Sequence, residues 1–365
     1  MKIKSFLDKY VSTFSRIAIL AALASGIILA MSKAFPLFAD WFNRYISSFC
    51  RLVVSKITGI LPFSLGEALF LCLPLFAFVA LFLYFKVFYN DDIKSGRFVV
   101  ALASCLCMLF TSFVFMFGTA YNGTPLSHKL GLSQDPVSYE ELEHTANCLI
   151  DEIDSVIDEI DYKYDGLSRM PYSFGELNSK LNDAYASFSS EHRFVPKLRS
   201  DVKILAVSPV MTYTHISGVF TYYTGEANLN VNYPDYSMPY TMAHEMAHQR
   251  GVAPENEANF VAFLVCMESD DPYIRYSAAM SMLEYLMNAM YSASPDEYSD
   301  FTSDMDLRIK GEMYGFSRFF EKYRESVASD VTEVVNDTYL KANGAKAGTQ
   351  SYGMVVDLAC AYYKD

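Results

Sequence analysis

Three stretches of the chain run without an ionised side chain: Ile17–Ser32, Ala68–Phe85 and Phe98–His128, the last turning polar after Ala120. A helix of about 20 apolar residues spans the hydrocarbon core of a bilayer. The pattern therefore predicts three membrane helices, at about 14–34, 66–88 and 98–120. The first reaches full length when Arg16 and Lys33 extend to the headgroups. Lys2, Lys4 and Lys9 ahead of it also fit a signal peptide, but no small-x-small site follows and two more apolar runs do, which favours an uncleaved anchor. Residues 34–66 carry Trp41, Arg44, Tyr45 and Arg51 in a pattern suited to an interfacial amphipathic helix, with a plain loop as the alternative.

After the Asn122-Gly123 turn signal the pattern becomes that of a soluble domain. Ser138 and Glu141 form a capping box, and Leu142, Ala146, Leu149, Ile153, Val156, Ile157 and Ile160 follow at helical spacing. β-Branched and aromatic runs predict strands at Val202–Val207, Ile216–Tyr223 and Ala227–Val231. Helical periodicity returns in 255–268, 271–292, 311–342 and 351–363. The expected fold is α+β and mostly α: a membrane unit of residues 1–120, then a domain of residues 121–365 with a small sheet.

Charge divides at the same place. Residues 1–120 hold 11 Lys or Arg against 5 Asp or Glu, and the remainder hold 18 against 37, giving +6 and -19. So acidic a domain repels a phosphate backbone, which excludes nucleic acid as a partner and leaves membrane lipid and a peptide or protein. Seven basic residues flank one side of the apolar runs (Lys2, Lys4, Lys9, Arg16, Lys86, Lys94 and Arg97) and four the other (Lys33, Arg44, Arg51 and Lys56). That bias predicts a cytoplasmic N-terminus and an extracytoplasmic domain. The seven cysteines have no metal-type spacing and imply no disulfide framework.

The chemistry concentrates in Tyr240–Leu264, YTMAHEMAHQRGVAPENEANFVAFL. His244 and His248 stand four apart, so a helix puts both imidazoles on one face, where they can take two corners of a tetrahedral zinc site. Glu245 beside them fits the general base of an HExxH site, with Gly251 ending the helix. Catalytic zinc keeps three protein ligands and one open position. The third ligand comes from Glu257 or Glu255, and Glu257 is preferred because it heads an apolar helical face, Ala258 to Leu264. Arg250, His215, Tyr222 and Tyr223 are candidate oxyanion donors, while Asn259 and Gln249 can orient ligands from behind. The strand pair upstream offers either an edge for an extended peptide or plain sheet core.

At these residues the chain resembles the bacterial family of membrane-anchored, predicted zinc-dependent peptidases catalogued as domain of unknown function 3810. The likeness rests on the apolar N-terminal runs, on Ser217–Gly251, on ENEANF at Glu255–Phe260 and on SYGMVVDLACAYY at Ser351–Tyr363. It implies a zincin-like catalytic domain of the gluzincin type, one Zn2+, and His244, Glu245 and His248 in its motif. The EANF context of Glu257 is also similar to the EANxFA pattern of the regulator-cleaving phage and radiation-response peptidases, whose Glu is the third ligand; here the chain reads EANFVAF. The expected activity is peptide-bond hydrolysis, against the alternative of a zinc-stabilised envelope module that senses or scaffolds. An intact Glu245 favours the enzyme, because a structural site has no use for a base.

Overall fold

In the computed structural model, residues 9–133, 135–324, 326–343 and 354–364 are described. The basic residues Lys2 and Lys4, and Ser351–Gly353 of the C-terminal motif, lie outside them. By internal contacts the chain divides into two units: one runs to Gly123 and takes in Thr221–Glu226, and the other comprises Thr124–Phe220 and Ala227 onward.

The first unit is helical: α1 (Thr13–Ala34), α2 (Pro36–Phe42), α3 (Ser48–Thr58), α4 (Leu65–Leu71), α5 (Leu73–Leu83) and α6 (Asp92–Met116). Helices α1 and α6 are long and apolar enough to cross a membrane, and they pack on each other. Helix α1 buries Ser15, Ala18, Ser25 and Ser32, small residues that let a neighbouring backbone approach. Phe14, Ile17, Leu20, Leu23 and Ile27 point outward.

Two expectations are corrected in this unit. The predicted helix over 66–88 is not one straight helix: α4 and the helix continuing from Leu73 to Phe88 meet at a 49° bend. Pro74, at the start of α5, explains the break, because it has no N–H to give and its ring collides with the preceding turn. Two helices, not three, are thus long and apolar enough on their own among the described residues. Arg51, expected on an interfacial face, is instead buried, donating to the Met116 carbonyl at 2.7 Å and the Asn43 side chain at 2.9 Å.

The second unit contains α7 (Leu126–Leu130), α8 (Tyr139–Asp154), α9 (Phe174–Glu191), β1 (Lys203–Ile204) and α10 (Ser208–Met211). Next come β2 (Gly218–Thr221), β3 (Glu226–Leu229), α11 (Ser237–Gln249), α12 (Glu255–Met267) and α13 (Pro272–Ala293). Helices α14 (Pro295–Ser303), α15 (Leu307–Glu321), α16 (Val327–Ala342) and α17 (Val355–Tyr363) complete it. The molecule is mostly helical, with one three-stranded sheet in the order β1-β3-β2. Strand β1 pairs parallel with β3, Lys203 opposite Asn228 and Ile204 opposite Leu229, which leaves β2 at an edge.

Both halves of the Ser138–Glu141 capping box form at the start of α8. The strand expected over 202–207 shrinks to two residues, because the chain turns into α10, where Pro209 stands in the first turn. The helix expected over 311–342 is two helices; Ser326 starts the second by accepting from Ser329 N. Helices α11, α12 and α13 pack on one another, with α8 against α13 and α9 against α12. Their apolar faces form the core, including Ala243, Met246, Phe260, Phe263, Ile274 and Leu283.

Candidate metal centre

Helix α11 carries the HEMAH sequence through the middle of this core, and most of its residues are buried. Ala243 and Ala247 allow that close surround, and the Ala243 carbonyl accepts from the Tyr185 hydroxyl at 2.6 Å. Gly251 ends the helix with φ +90°, a left-handed turn that other residues take at a cost. The turn folds the chain back so that Val252 N donates to Ala247 O at 3.1 Å. It also sets the Val252 carbonyl 2.8 Å from His248 Nδ1. A carbonyl can only accept, so Nδ1 carries a proton and Nε2 is the ring nitrogen turned to the other side.

The two imidazoles share one face, with ring centroids 4.5 Å apart. Both Nε2 atoms approach the same carboxylate oxygen, Glu255 Oε2, at 3.3 Å from His244 and 3.5 Å from His248. The three ligand atoms lie within 4.8 Å of one another. A second trio, Glu191, His192 and Glu268, is largely exposed. The first is deep: side-chain exposure is 13 % at His244, 7 % at His248 and 14 % at Glu255.

Glu257, the preferred third ligand, is not brought to the imidazoles. Its Oε1 accepts from Leu126 N at 2.8 Å. Residues 255 and 257 stand about 200° apart around a helix, so only one can face α11. The short link from Gly251 through Pro254 presents Glu255, in the first turn of α12, where the helix dipole favours a carboxylate.

Electrostatics bind the trio together. Burial works against a charged His248, but the adjacent Glu255 carboxylate outweighs it and raises the imidazole to about 9. Burial would raise Glu255, yet the His248 charge and hydrogen bonds from both rings hold it well below the usual carboxylate range. Burial and the neighbouring His248 charge lower His244. Glu245, 4 % exposed, is pushed up to about 8 by burial, with Glu255 adding to the effect. Glu245 Oε2, His244 Nδ1 and the Asn259 amide nitrogen are buried without a hydrogen-bond partner. Polar atoms without a partner are rare in a protein interior, and the Glu245 oxygen is the plainest of them here.

Edge strand β2 lies over Glu245. A Cβ on Gly218 would stand 2.6 Å from Glu245 Cγ and 2.6 Å from its Oε1, so the missing side chain is what gives the carboxylate room. Asn259, in the turn of α12 after Glu255, sits beside His244 and the Tyr285 hydroxyl.

Other candidates are engaged elsewhere. Arg250 is 1 % exposed, stacks 3.9 Å over the Tyr185 ring and donates to the carbonyls of Met246 and Leu198. His215 holds a left-handed φ of 58° and places Nε2 2.8 Å from Tyr323 O. Gln249 accepts from the Ser200 hydroxyl. Tyr222 and Tyr223 belong to the first unit, Tyr222 edge-on to Phe113. The sequence reading passed over Gly218 and Tyr285. A signal for Tyr285 existed: Ser277, Ser281, Glu284, Tyr285 and Asn288 form a polar stripe at helical spacing in an otherwise apolar helix.

Residues 42–360 match the family model described as a protein of unknown function (DUF3810). No curated protein and no solved structure matches the chain.

Proposed function

Because the chain belongs to the DUF3810 family, whose description leaves function open, we propose from the site itself that it is a membrane-anchored zinc metallopeptidase. The observation that carries this reading is the convergence of His244 Nε2, His248 Nε2 and Glu255 Oε2 beside Glu245, whose Oε2 has no hydrogen-bond partner. Ligands about 2.0–2.1 Å from one tetrahedral centre stand about 3.4 Å apart. The distances of 3.3 and 3.5 Å fit that edge, and two nitrogens with one oxygen is a zinc donor set that leaves a corner free. Zinc held there would supply Lewis acidity and lower the pKa of a water at that free corner.

The chain's own groups do the rest. Glu245 takes a proton from the attacking water and returns it to the leaving amine; a carboxyl raised toward neutrality is suited to both transfers. The Val252 carbonyl fixes the His248 tautomer. To Tyr285, half-buried beside Asn259 and Glu255, we assign donation to the carbonyl oxygen as charge develops. The helices of the first unit tether this chemistry to a membrane, and with the bent α4–α5 pair taken as a third crossing the basic-residue bias puts the domain on the extracytoplasmic side.

The full chain in detergent, incubated with an unbiased peptide library, is expected to cleave it; 1,10-phenanthroline should abolish cleavage and added zinc restore it. Cleavage indifferent to chelation would refute a metal mechanism. Gly218→Ala should lower the rate by about 100-fold by displacing Glu245, with little change in thermal stability, since only a flexible carboxylate must move. A full-rate Gly218→Ala chain would remove Glu245 from the reaction.

A further inference from the structure

We infer that the domain carries a second metal site, separate from the HEMAH cluster: Glu191, His192 and Glu268 hold a divalent cation that ties the end of α9 to the end of α12. Each of the three offers one ligand atom, and these atoms lie within 4.8 Å of one another. Helices α9 and α12 pack together, and both stop at this point. Glu191 is the last residue of α9 and His192 its C-cap, while Glu268 is the C-cap of α12. The His192 ring is set by Phe188, one turn back, with ring centroids 4.3 Å apart, and by Phe194 at 5.7 Å. Glu255 begins the helix that Glu268 follows, so the 13 residues of α12, about 20 Å of helix, separate the two clusters.

Charge and space both favour a cation there. A helix C-terminus favours positive charge, yet each of these two ends in a carboxylate, and neither has a basic residue in its last turn. Glu191 adds like-charge repulsion at Glu268, and among the described residues none of the three side chains has a hydrogen bond or an ion pair. Neighbouring carboxylates differ: Glu152 pairs with Arg275 at 2.5 Å and Asp183 with Arg199 at 2.7 Å. His192 and Glu268 also line a cavity of about 400 Å³, together with Phe188, Leu264 and Tyr362. The other two charges on its wall, Glu152 and Arg275, offset each other. The cavity has room for the waters that complete a coordination sphere around three protein ligands. One imidazole and two carboxylates suit Mn2+ or Zn2+. With both carboxylates exposed, the site binds more weakly than the buried trio and fills from added metal, apart from the one tightly held zinc.

The full chain in detergent, as purified, is titrated with MnCl2 while free Mn2+ is read by electron paramagnetic resonance. The expected result is one Mn2+ bound per chain, saturating below about 1 mM, with nitrogen coupling from one imidazole in the pulsed spectrum. Glu268→Gln and His192→Gln should each weaken that binding by at least the roughly 10-fold typical of a residue behind the ligands, and His192→Gln should also remove the nitrogen coupling. Neither side chain belongs to the core, so both variants are expected to unfold at the wild-type temperature without Mn2+. Saturating Mn2+ should raise that temperature in wild type and in Glu255→Ala but in neither of the two variants, because only an intact site ties the helix ends together. Glu255→Ala should bind Mn2+ as wild type does, so failure of the HEMAH cluster to hold zinc and failure of the second site give different results. Binding that does not saturate below about 1 mM, or that survives both substitutions, overturns the inference and leaves the peptidase reading standing. Mn2+ lost in Glu255→Ala and kept in Glu268→Gln assigns the ion to the HEMAH cluster and overturns the inference as well.

Discussion

Glu245→Gln is expected to keep zinc bound and to lose about 10²- to 10⁴-fold in kcat, the usual worth of a positioned general base. The argument is local. Glu245 is buried among Ala243, Met246 and Ala247, under the backbone of Gly218, with one oxygen lacking any partner. Gln has the same shape and fills the same space but cannot take a proton. Removing a charge from a buried site is also not destabilising in itself, because burial disfavours that charge in the folded chain. Loss of activity together with loss of zinc would reassign Glu245 to holding the site; unchanged activity would end its role as base.

The second large effect separates two carboxylates only two residues apart. Glu255→Ala should lower zinc affinity by more than about 100-fold, beyond the 10- to 100-fold typical of a residue behind the ligands. It removes the oxygen that both imidazoles face at 3.3 and 3.5 Å. Glu257→Gln should leave zinc content unchanged and cost about 1–3 kcal/mol of stability where the acceptor for Leu126 N is weakened. Metal titration of both variants, read beside their thermal unfolding, decides the assignment. The reverse result, zinc lost with Glu257 and kept without Glu255, would restore the ligand that sequence alone preferred.

That preference shows where sequence reading stops. The Ser138–Glu141 capping box, the amphipathic α8, the Gly251 turn and the His244–His248 face are all set within four or five residues, and all were legible. The third ligand was not. Spacing puts Glu255 and Glu257 on opposite sides of one helix, but which side meets α11 depends on the angle of the Gly251–Pro254 link, and composition carries no record of it. The apolar face after Glu257 describes packing into the core and says nothing about the motif helix.

Partners distant in sequence were equally hidden. Gly218 matters because β2 crosses Glu245, and Tyr285 because α13 lies against α12, relations between elements 27 and 30 residues apart. Arg51, expected on an interfacial face, and Arg250, a candidate oxyanion donor, are both buried and donate to backbone carbonyls distant in sequence. The second apolar run had the length and composition of a span, and Pro74 was visible in it. What hydropathy does not measure is the 49° bend that the proline permits.

The central claim is that two imidazoles and the Glu255 carboxylate hold one zinc with a corner left for water. X-ray absorption at the zinc edge, on the full chain purified in detergent and quantified for metal, tests it most directly. The expected result is one zinc per chain, with two imidazole nitrogens and otherwise only oxygen ligands at about 2.0–2.1 Å, and loss of that signal in Glu255→Ala. A chain that takes up no zinc, or one whose zinc is ligated by sulfur or by a third imidazole, contradicts it.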